Sequence, residues 1–410
     1  MPKLKFNAEF FKANRQRLIS QLPTDLPIAI TANGLIQRGS DSAYPFTQDA
    51  NFWYLTGIND PDITLVIDHQ REFLIVPIRD GSRVTFDGQI DTHKLANISG
   101  VSDILNEASG WKRLDGLLAH SKQVATLASA PPFIEQYGLY SNPARSHFAD
   151  RLKQHVGEEL KLIDIRSELA AMRIVKQPVE LMALREAINI TNQTLKDVLA
   201  KPYGTYNYEY QIEADIIQGF RRRGASGHAF EPIVAGGVRA CTMHYLSNSA
   251  RLEPGELVIL DVGANVSGYA ADITRVLPTA KPSRRQKVVH DAVRETQAYA
   301  FSLLKPGVLL RGYEIKVAKF MGTKLKELGV ISNLKPETVR FYFPHATSHF
   351  LGLNVHDVGD YTKALQVGTV LTVEPGIYLP EENIGVRIED DVLVTESGIE
   401  VLSAKLPAKL

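Results

Sequence analysis

Glu256-Leu257-Val258-Ile259-Leu260-Asp261-Val262-Gly263-Ala264-Asn265-Val266-Ser267-Gly268-Tyr269-Ala270-Ala271-Asp272-Ile273-Thr274-Arg275-Val276 reads as a hairpin. An apolar, β-branched run, a Gly/Asn/Ser turn over residues 264–268 and a second such run predict two antiparallel strands. Each strand carries one acid where the pattern is otherwise apolar. Asp261 and Asp272 stand roughly equidistant from the turn, so they can face each other across the ladder, although a slip of one residue would turn one of them to the opposite face.

The same outline returns over Gly368-Thr-Val-Leu-Thr-Val-Glu374-Pro-Gly376 and Gly385-Val-Arg387-Ile-Glu389-Asp-Asp-Val-Leu-Val394. In both stretches a glycine (Gly255, Gly368) precedes the first acid by six residues and another (Gly263, Gly376) follows it by two. We read a degenerate internal repeat: two half-domains, each giving a hairpin with two carboxylates.

Between the repeats lies Pro344-His345-Ala-Thr-Ser348-His349-Phe-Leu-Gly-Leu-Asn-Val-His356-Asp-Val358, with three of the chain's 11 histidines. Imidazole is a common transition-metal ligand and a common acid–base group. An acid inside an apolar strand costs several kcal/mol unless it is paired or bound to a cation. Arg275 and Arg387 could pair with single acids, but four acids and a histidine together point to a cation. That donor set is hard and oxygen-rich, suited to manganese, ferrous iron or cobalt rather than to structural zinc. Five ligands exceed what one catalytic ion normally takes, which predicts two divalent ions with bridging carboxylates.

Asp261, Asp272, His349, Glu374 and Glu389, in this order and in these strings, resemble the five-ligand dimetal signature of the pita-bread-fold metallopeptidases. That group contains methionine aminopeptidase, prolidase and aminopeptidase P. Thr-Met-His244-Tyr245, Asp261-Val-Gly, Asp272-Ile-Thr-Arg, Ser348-His349-Phe-Leu-Gly, Val-His356-Asp, Val-Glu374-Pro-Gly and Arg-Ile-Glu389-Asp-Asp all fit it. Ser40-Asp41-Ser42 and the aromatic string from Tyr44 to Gly57 resemble the N-terminal domain of aminopeptidase P, and less closely that of prolidase. Methionine aminopeptidase lacks such a domain. The resemblance is strong from about Gly227 to Val394 and looser before it.

The chain has 410 residues, which suits two domains, and is 44% hydrophobic, enough for sizeable cores. Lys+Arg and Asp+Glu are 46 each, so charge gives no reason to expect nucleic acid or an anionic membrane as partner. The single cysteine, Cys241, excludes an intrachain disulfide and fits a reducing compartment. Met1-Pro-Lys-Leu-Lys-Phe6 lacks the apolar stretch of a signal peptide, and no later run is long enough to span a membrane. A cytoplasmic protein is expected.

Helical spacing over residues 7–21, then β-type runs at 27–31, 65–68 and 72–77, predict an α/β N-terminal domain over residues 1–170. Core packing explains most aromatic strings such as Tyr44–Gly57. The family's passage between domains is matched by Arg173-Ile-Val-Lys-Gln-Pro178-Val-Glu180, where proline marks a helix start. Residues 171–410 are then expected to form an α+β pita-bread domain with a pseudo-two-fold repeat. Its helices should cover 179–199, a stretch from about Tyr208, 283–304 and 313–328.

The resemblance implies an Xaa-Pro aminopeptidase. A hydroxide bridging two ions would attack the peptide carbonyl, since coordination lowers the pKa of water steeply and both ions stabilise the oxyanion. Glu374 would be both ligand and general base. His244 and His356 would face the scissile bond, one steadying the tetrahedral intermediate and the other aiding proton delivery to the leaving nitrogen. His345, Tyr378 and Arg387 would be pocket residues, unless Arg387 simply pairs with an acid. Manganese is the first expectation, with cobalt, iron and zinc as alternatives. The substrates would be peptides beginning Xaa-Pro, their amine near Asp261, in a homodimer or homotetramer whose N-terminal domain and neighbouring subunit wall the site. Two other readings stand beside this one: a prolidase restricted to dipeptides, and a non-catalytic peptide-binding module of the same fold. The module reading conflicts with the retention of all five ligands. Phe230–Gly237, Ala346 and the short Glu374–Glu389 connection depart from common relatives, and these bear on substrate range and oligomer contacts.

Overall fold

The computed structural model describes residues 6–68, 71–129 and 138–410. Residues 1–5, which carry most of the amino-terminal string read above, lie outside this range. Two compact units divide the chain, Met1–Met172 and Arg173–Leu410.

In the first unit, α1 (Ala8–Ile19) starts at Asn7, whose side chain accepts the Phe10 N–H, and buries Phe10, Phe11 and Leu18. The aromatic string forms α2 (Ala50–Thr56), capped by Asp49 at its start and ended by left-handed Gly57. Phe52, Tyr54 and Leu55 are fully buried, and the Trp53 ring meets Phe11 edge-on at 5.5 Å. Packing thus accounts for most of the string. The strands β1 (Ile28–Thr31), β2 (Thr64–Asp68), β3 (Arg71–Val76), β4 (Asp103–Asn106), β5 (Gln123–Thr126) and β6 (Lys161–Asp164) make one mixed sheet in the order β4-β3-β2-β1-β5-β6. Helices α3 (Glu107–Ser121) and α4 (Ala144–Val156) place Trp111, Leu114, Phe148 and Leu152 against Ala29, Val66, Phe73 and Val124 of that sheet. This is the α/β layer architecture that the alternation of elements predicts.

The second unit is built twice over from a helix pair followed by a long hairpin. In the first half, α5 (Pro178–Leu199) opens with proline and with Glu180 accepting the Gln177 N–H at 2.9 Å. It packs with α6 (Glu209–Arg222) on strands β8 (Ile233–Gly236), β9 (Leu257–Val262) and β12 (Ile273–Pro278) through Leu195, Ile216, Phe220, Leu260 and Ile273. The hairpin tip is β10 (Ala264–Val266) and β11 (Tyr269–Ala270), with the short β7 (Gly227–His228) paired on the other edge of β10. In the second half, α7 (Arg284–Leu303) and α8 (Leu310–Glu327) cover β13 (Val370–Val373), β14 (Gly376–Leu379), β15 (Ile384–Arg387) and β16 (Asp390–Thr395) through two apolar clusters. The paired layout gives the pita-bread fold its pseudo-two-fold repeat. Among the described residues no helix is long and apolar enough to cross a membrane.

Candidate metal centre

In the first hairpin Thr274, not Asp272, opposes Asp261, and Ile273 opposes Val262. Asp272 lies two residues from Thr274 on the same face, diagonal to Asp261. The expected facing pair is therefore corrected: Asp261 lies two residues further from the corner than Asp272. The cause is the tight Ser267–Gly268 corner, both residues left-handed at φ 52° and 87°, which fixes the pairing of Val266 with Tyr269 and makes Ala264–Val266 strand rather than turn. At Gly263 the strands press together. A side chain there would collide with the Ala271 carbonyl.

The second hairpin keeps one register through both of its segments, Val373 opposing Asp390 and Gly376 opposing Arg387. Between these pairs Glu374 comes opposite Glu389, and the ladder is interrupted where Pro375 has no N–H to give. The two halves dock at their acids. Asp272 N–H donates to Asp391 Oδ2 at 3.2 Å, Glu389 N–H to the Thr274 carbonyl at 3.2 Å, and the Thr274 hydroxyl to Glu389 Oε2 at 2.6 Å.

His349 reaches the acids by pairing of backbone with β13. Glu374 N–H donates to the Thr347 carbonyl (2.8 Å), Thr372 N–H to the His349 carbonyl (3.0 Å) and Leu351 N–H to the Val370 carbonyl (3.1 Å). The ring's Nδ1–H donates to the Phe350 carbonyl at 3.1 Å, which leaves the Nε2 lone pair facing Asp272 Oδ2 and Glu374 Oε1, each 3.4 Å away. His356 stacks on this ring at 4.0 Å and 13°.

Asp272, His349 and Glu389 each bring a ligand atom within 4.8 Å of the others. Asp261 and Glu374 line the same cavity of about 590 Å³, as do His244, His345, His356 and Arg387. Burial and mutual repulsion push the carboxyls of Asp272, Glu374 and Glu389 well above the usual range, and burial does the same to Asp391. The Arg387 guanidinium opposes this for the first three but is one charge against several. Among the described residues, Asp261 Oδ1 and Asp272 Oδ1 are buried and find no hydrogen-bond partner. Acceptor oxygens without donors, beside the His349 Nε2, fit divalent cations of the hard class.

Arg387 does pair with an acid, and it does more. It donates from Nη2 to Asp261 Oδ2 (2.6 Å), from Nε to the Thr274 hydroxyl (3.2 Å) and from Nη1 to the Tyr378 hydroxyl (2.9 Å). Tyr378, pushed up to about 12 by burial, donates in turn to His345 Nε2 at 2.7 Å, and His345 Nδ1–H donates to the Ala346 carbonyl at 2.8 Å. Burial and then Arg387 push the His345 pKa down to about 3, so the ring is neutral and can accept from the phenol. Tyr378 is itself absent from the cavity wall and stands behind His345 and Arg387. Tyr378→Phe is expected to keep its metal and to lose about 1–3 kcal/mol of stability, because buried Arg387 and half-buried His345 both lose their mate. Urea unfolding beside metal analysis checks this.

The sequence reading missed residues that hold the site from behind. Glu209, fully buried, accepts from Gly236 N–H, Ala250 N–H, Arg239 Nε and the Tyr245 hydroxyl at 2.7–3.0 Å, and so fixes the loop carrying His244. Glu314 accepts the N–H groups of Thr347 and Ser348, and the Tyr313 hydroxyl meets Ser348 Oγ at 3.0 Å. Glu209 opens its helix, and Glu314 sits in the second turn of its own. Nothing in their local strings signals a role.

The fold and the acid-lined cavity define a hydrolase of the metal-dependent kind. Residues 182–396 match the family model for Metallopeptidase family M24, and residues 11–125 match that for Aminopeptidase P, N-terminal domain. The chain belongs to metallopeptidase family M24. It is 32% identical to the Xaa-Pro aminopeptidase of Escherichia coli (strain K12), covering 97% of this chain and 95% of that one. With the Xaa-Pro aminopeptidase of Haemophilus influenzae it shares 31% identity over 99% of this chain and 96% of the relative. Among solved structures, aminopeptidase P from E. coli in its low pH form superposes with a TM-score of 0.86 at 30% identity, covering 99% of this chain and 97% of that one. Aminopeptidase PepP of Pseudomonas aeruginosa gives 0.87 at 27% identity, with coverage of 99% and 97%.

Proposed function

We propose that the protein is a metal-dependent Xaa-Pro aminopeptidase, releasing the first residue of peptides in which proline comes second. The observation that carries this is the convergence of Asp261, Asp272, His349, Glu374 and Glu389 on one cavity, in a chain whose relatives of matching length are named for that activity. The five side chains would hold two divalent ions, manganese first, with cobalt, iron or zinc as alternatives. When bound, such ions supply a water of lowered pKa and positive charge where the carbonyl oxygen gains electrons.

The chain's own groups do the rest. Glu374 stands between the rings of His345 and His349, at 3.6 and 3.4 Å, and is the base that takes the proton from water. His244 and His356, on two different loops of the cavity wall, serve the oxyanion and the leaving nitrogen. Asp261, whose Oδ2 accepts from Arg387, would help hold an ion and lie near the peptide's terminal ammonium. An Xaa-Pro bond is a tertiary amide with no N–H. Phe230, Ile233, Met243, Leu246 and Val355 offer the ring an apolar wall. We assign residues 1–170 and 171–410 as the two domains, and a homodimer or homotetramer as the assembly.

The test is a length series. Manganese-loaded protein given Xaa-Pro dipeptides and longer Xaa-Pro peptides is expected to cut the longer ones. Hydrolysis of the dipeptides alone would make the protein a prolidase instead.

A further inference from the structure

Asp357 follows His356 in the chain and is buried, 6% exposed. Its carboxylate receives Arg173 on Oδ1 and Lys176 Nζ on Oδ2 at 3.5 Å, cations that are themselves 1% and 5% exposed. Burying one anion and two cations in a small volume is costly, and such clusters are weak evidence for added stability. Something other than stability is the natural product of this arrangement. What the cluster does geometrically is close a loop.

Asp357 N–H donates to the Phe350 carbonyl at 2.8 Å, so residues 350–357 fold back on themselves directly after His349. Asp357 Oδ1 lies 3.4 Å from the Asn354 N–H, inside the loop. Gly352 packs so closely on Asp357 that a side chain there would overlap the carboxylate, and its carbonyl accepts the Ala270 N–H at 2.9 Å. On the other side Lys176 N–H donates to the Gly368 carbonyl at 2.9 Å, at the approach to β13. The loop is thus fastened at its middle to the first hairpin and at its end to the backbone that leads into α5. Its one large polar side chain on the cavity is His356, stacked face to face on His349.

We propose that Asp357, latched by Arg173 and Lys176, is a positioning residue that sets the His356 ring over His349 and into the cavity. This rests on the reading of His356 as a group facing the scissile bond. A ring held by two cations through its neighbour's carboxylate has little freedom, and pre-set geometry of this kind is worth a large factor in turnover.

The experiment uses the full-length, metal-loaded protein as parent, Asp357→Asn, Lys176→Met, Lys176→Arg, His356→Ala and the double variant Asp357→Asn/His356→Ala. Asp357→Asn is expected to lower kcat about tenfold with metal content unchanged and KM within about twofold. Lys176→Met should fall in the same direction, and Lys176→Arg should recover. In the His356→Ala background Asp357→Asn should add no further loss, since the two act through one ring. Full additivity, or loss of metal in Asp357→Asn, would overturn the proposal. Histidine carbon resonances of the same proteins loaded with diamagnetic zinc give a readout independent of turnover. The His356 signal, assigned by its disappearance in His356→Ala, should shift in Asp357→Asn and Lys176→Met but stay in place in Lys176→Arg. An unmoved signal in both of the first two would also overturn it, and the Lys176 pair decides the matter if Asp357→Asn does not fold. Parent-like kcat in His356→Ala would remove the role given to His356 and leave the latch to be judged on the resonances alone.

Discussion

Asp272→Ala and Glu389→Ala proteins are expected to lose bound metal and to fall in kcat/KM by on the order of a thousandfold or more. Each change removes an oxygen from the set in which Asp272, His349 and Glu389 bring ligand atoms within 4.8 Å of one another. Lewis-acid stabilisation of a developing oxyanion amounts to several kcal/mol, and about 1.4 kcal/mol is a factor of ten in rate. Loss of fold is distinguishable from loss of metal. Without an ion, burial and then repulsion from the neighbouring acids disfavour the charged forms of Asp272 and Glu389, which is why their carboxyls are pushed up. The isosteric Asp272→Asn and Glu389→Gln proteins should therefore melt above the chelated parent at neutral pH while remaining inactive. Metal content and peptide hydrolysis equal to the parent in both alanine proteins would refute the centre.

Chelation is expected to destabilise the second unit strongly at neutral pH and much less in acid. A ligand present at about a thousand times its dissociation constant stabilises by about 4 kcal/mol, or roughly 10 °C in a unit of this size. The pH dependence follows from the raised carboxyls of Asp272, Glu374 and Glu389. Their folded pKa values exceed the unfolded one of about 4, so the metal-free folded state holds more protons than the unfolded state above that pH. Its stability is present in acid and is lost as pH rises through the folded values. Metal-loaded protein escapes this loss, because the ions take the place of the protons. His345 and His356, with pKa pushed down to about 3 and about 4, work in the opposite sense below about 6.5. They are common to both forms, so the informative quantity is the difference in Tm between loaded and chelated protein. That difference should grow from pH 5 to pH 8. A constant difference would show that the acids do not share protons in the metal-free state.

Much of the fold can be read along the chain because the evidence is local. Alternating and β-branched runs forecast β9, β12, β13 and β16, and the proline and Glu180 at the start of α5 mark a helix entrance before any contact is known. The four acids declare themselves for the same reason, since Asp261, Asp272 and Glu374 each interrupt an apolar run and Glu389 opens an acidic break between Ile388 and Val392. The aromatic string was legible only as core-forming, and its helix, capped by Asp49 and ended by Gly57, came from the structure.

Register was beyond reach. The Ser267–Gly268 corner, tighter than the five-residue turn that composition suggests, moves Asp261 opposite Thr274, and a step in pairing leaves no trace in the pattern of residue types. Glu209, Glu314 and the Arg173–Lys176–Asp357 cluster were silent for a related reason. Their partners are backbone groups and side chains dozens to hundreds of positions away, and no local string encodes such a meeting.

By itself the sequence determined which side chains this protein has for chemistry: four carboxylates that cannot remain unpaired in apolar strands, and histidines gathered between the two repeats. The tertiary structure alone decided how they meet. Docking of the two hairpins brings Asp272 against Asp391 and Glu389 against Thr274, and pairing along β13 carries His349 to them. The physical reason is that burial cost is a property of a residue and its neighbours in the chain, whereas distance between charges is a property of the packed molecule.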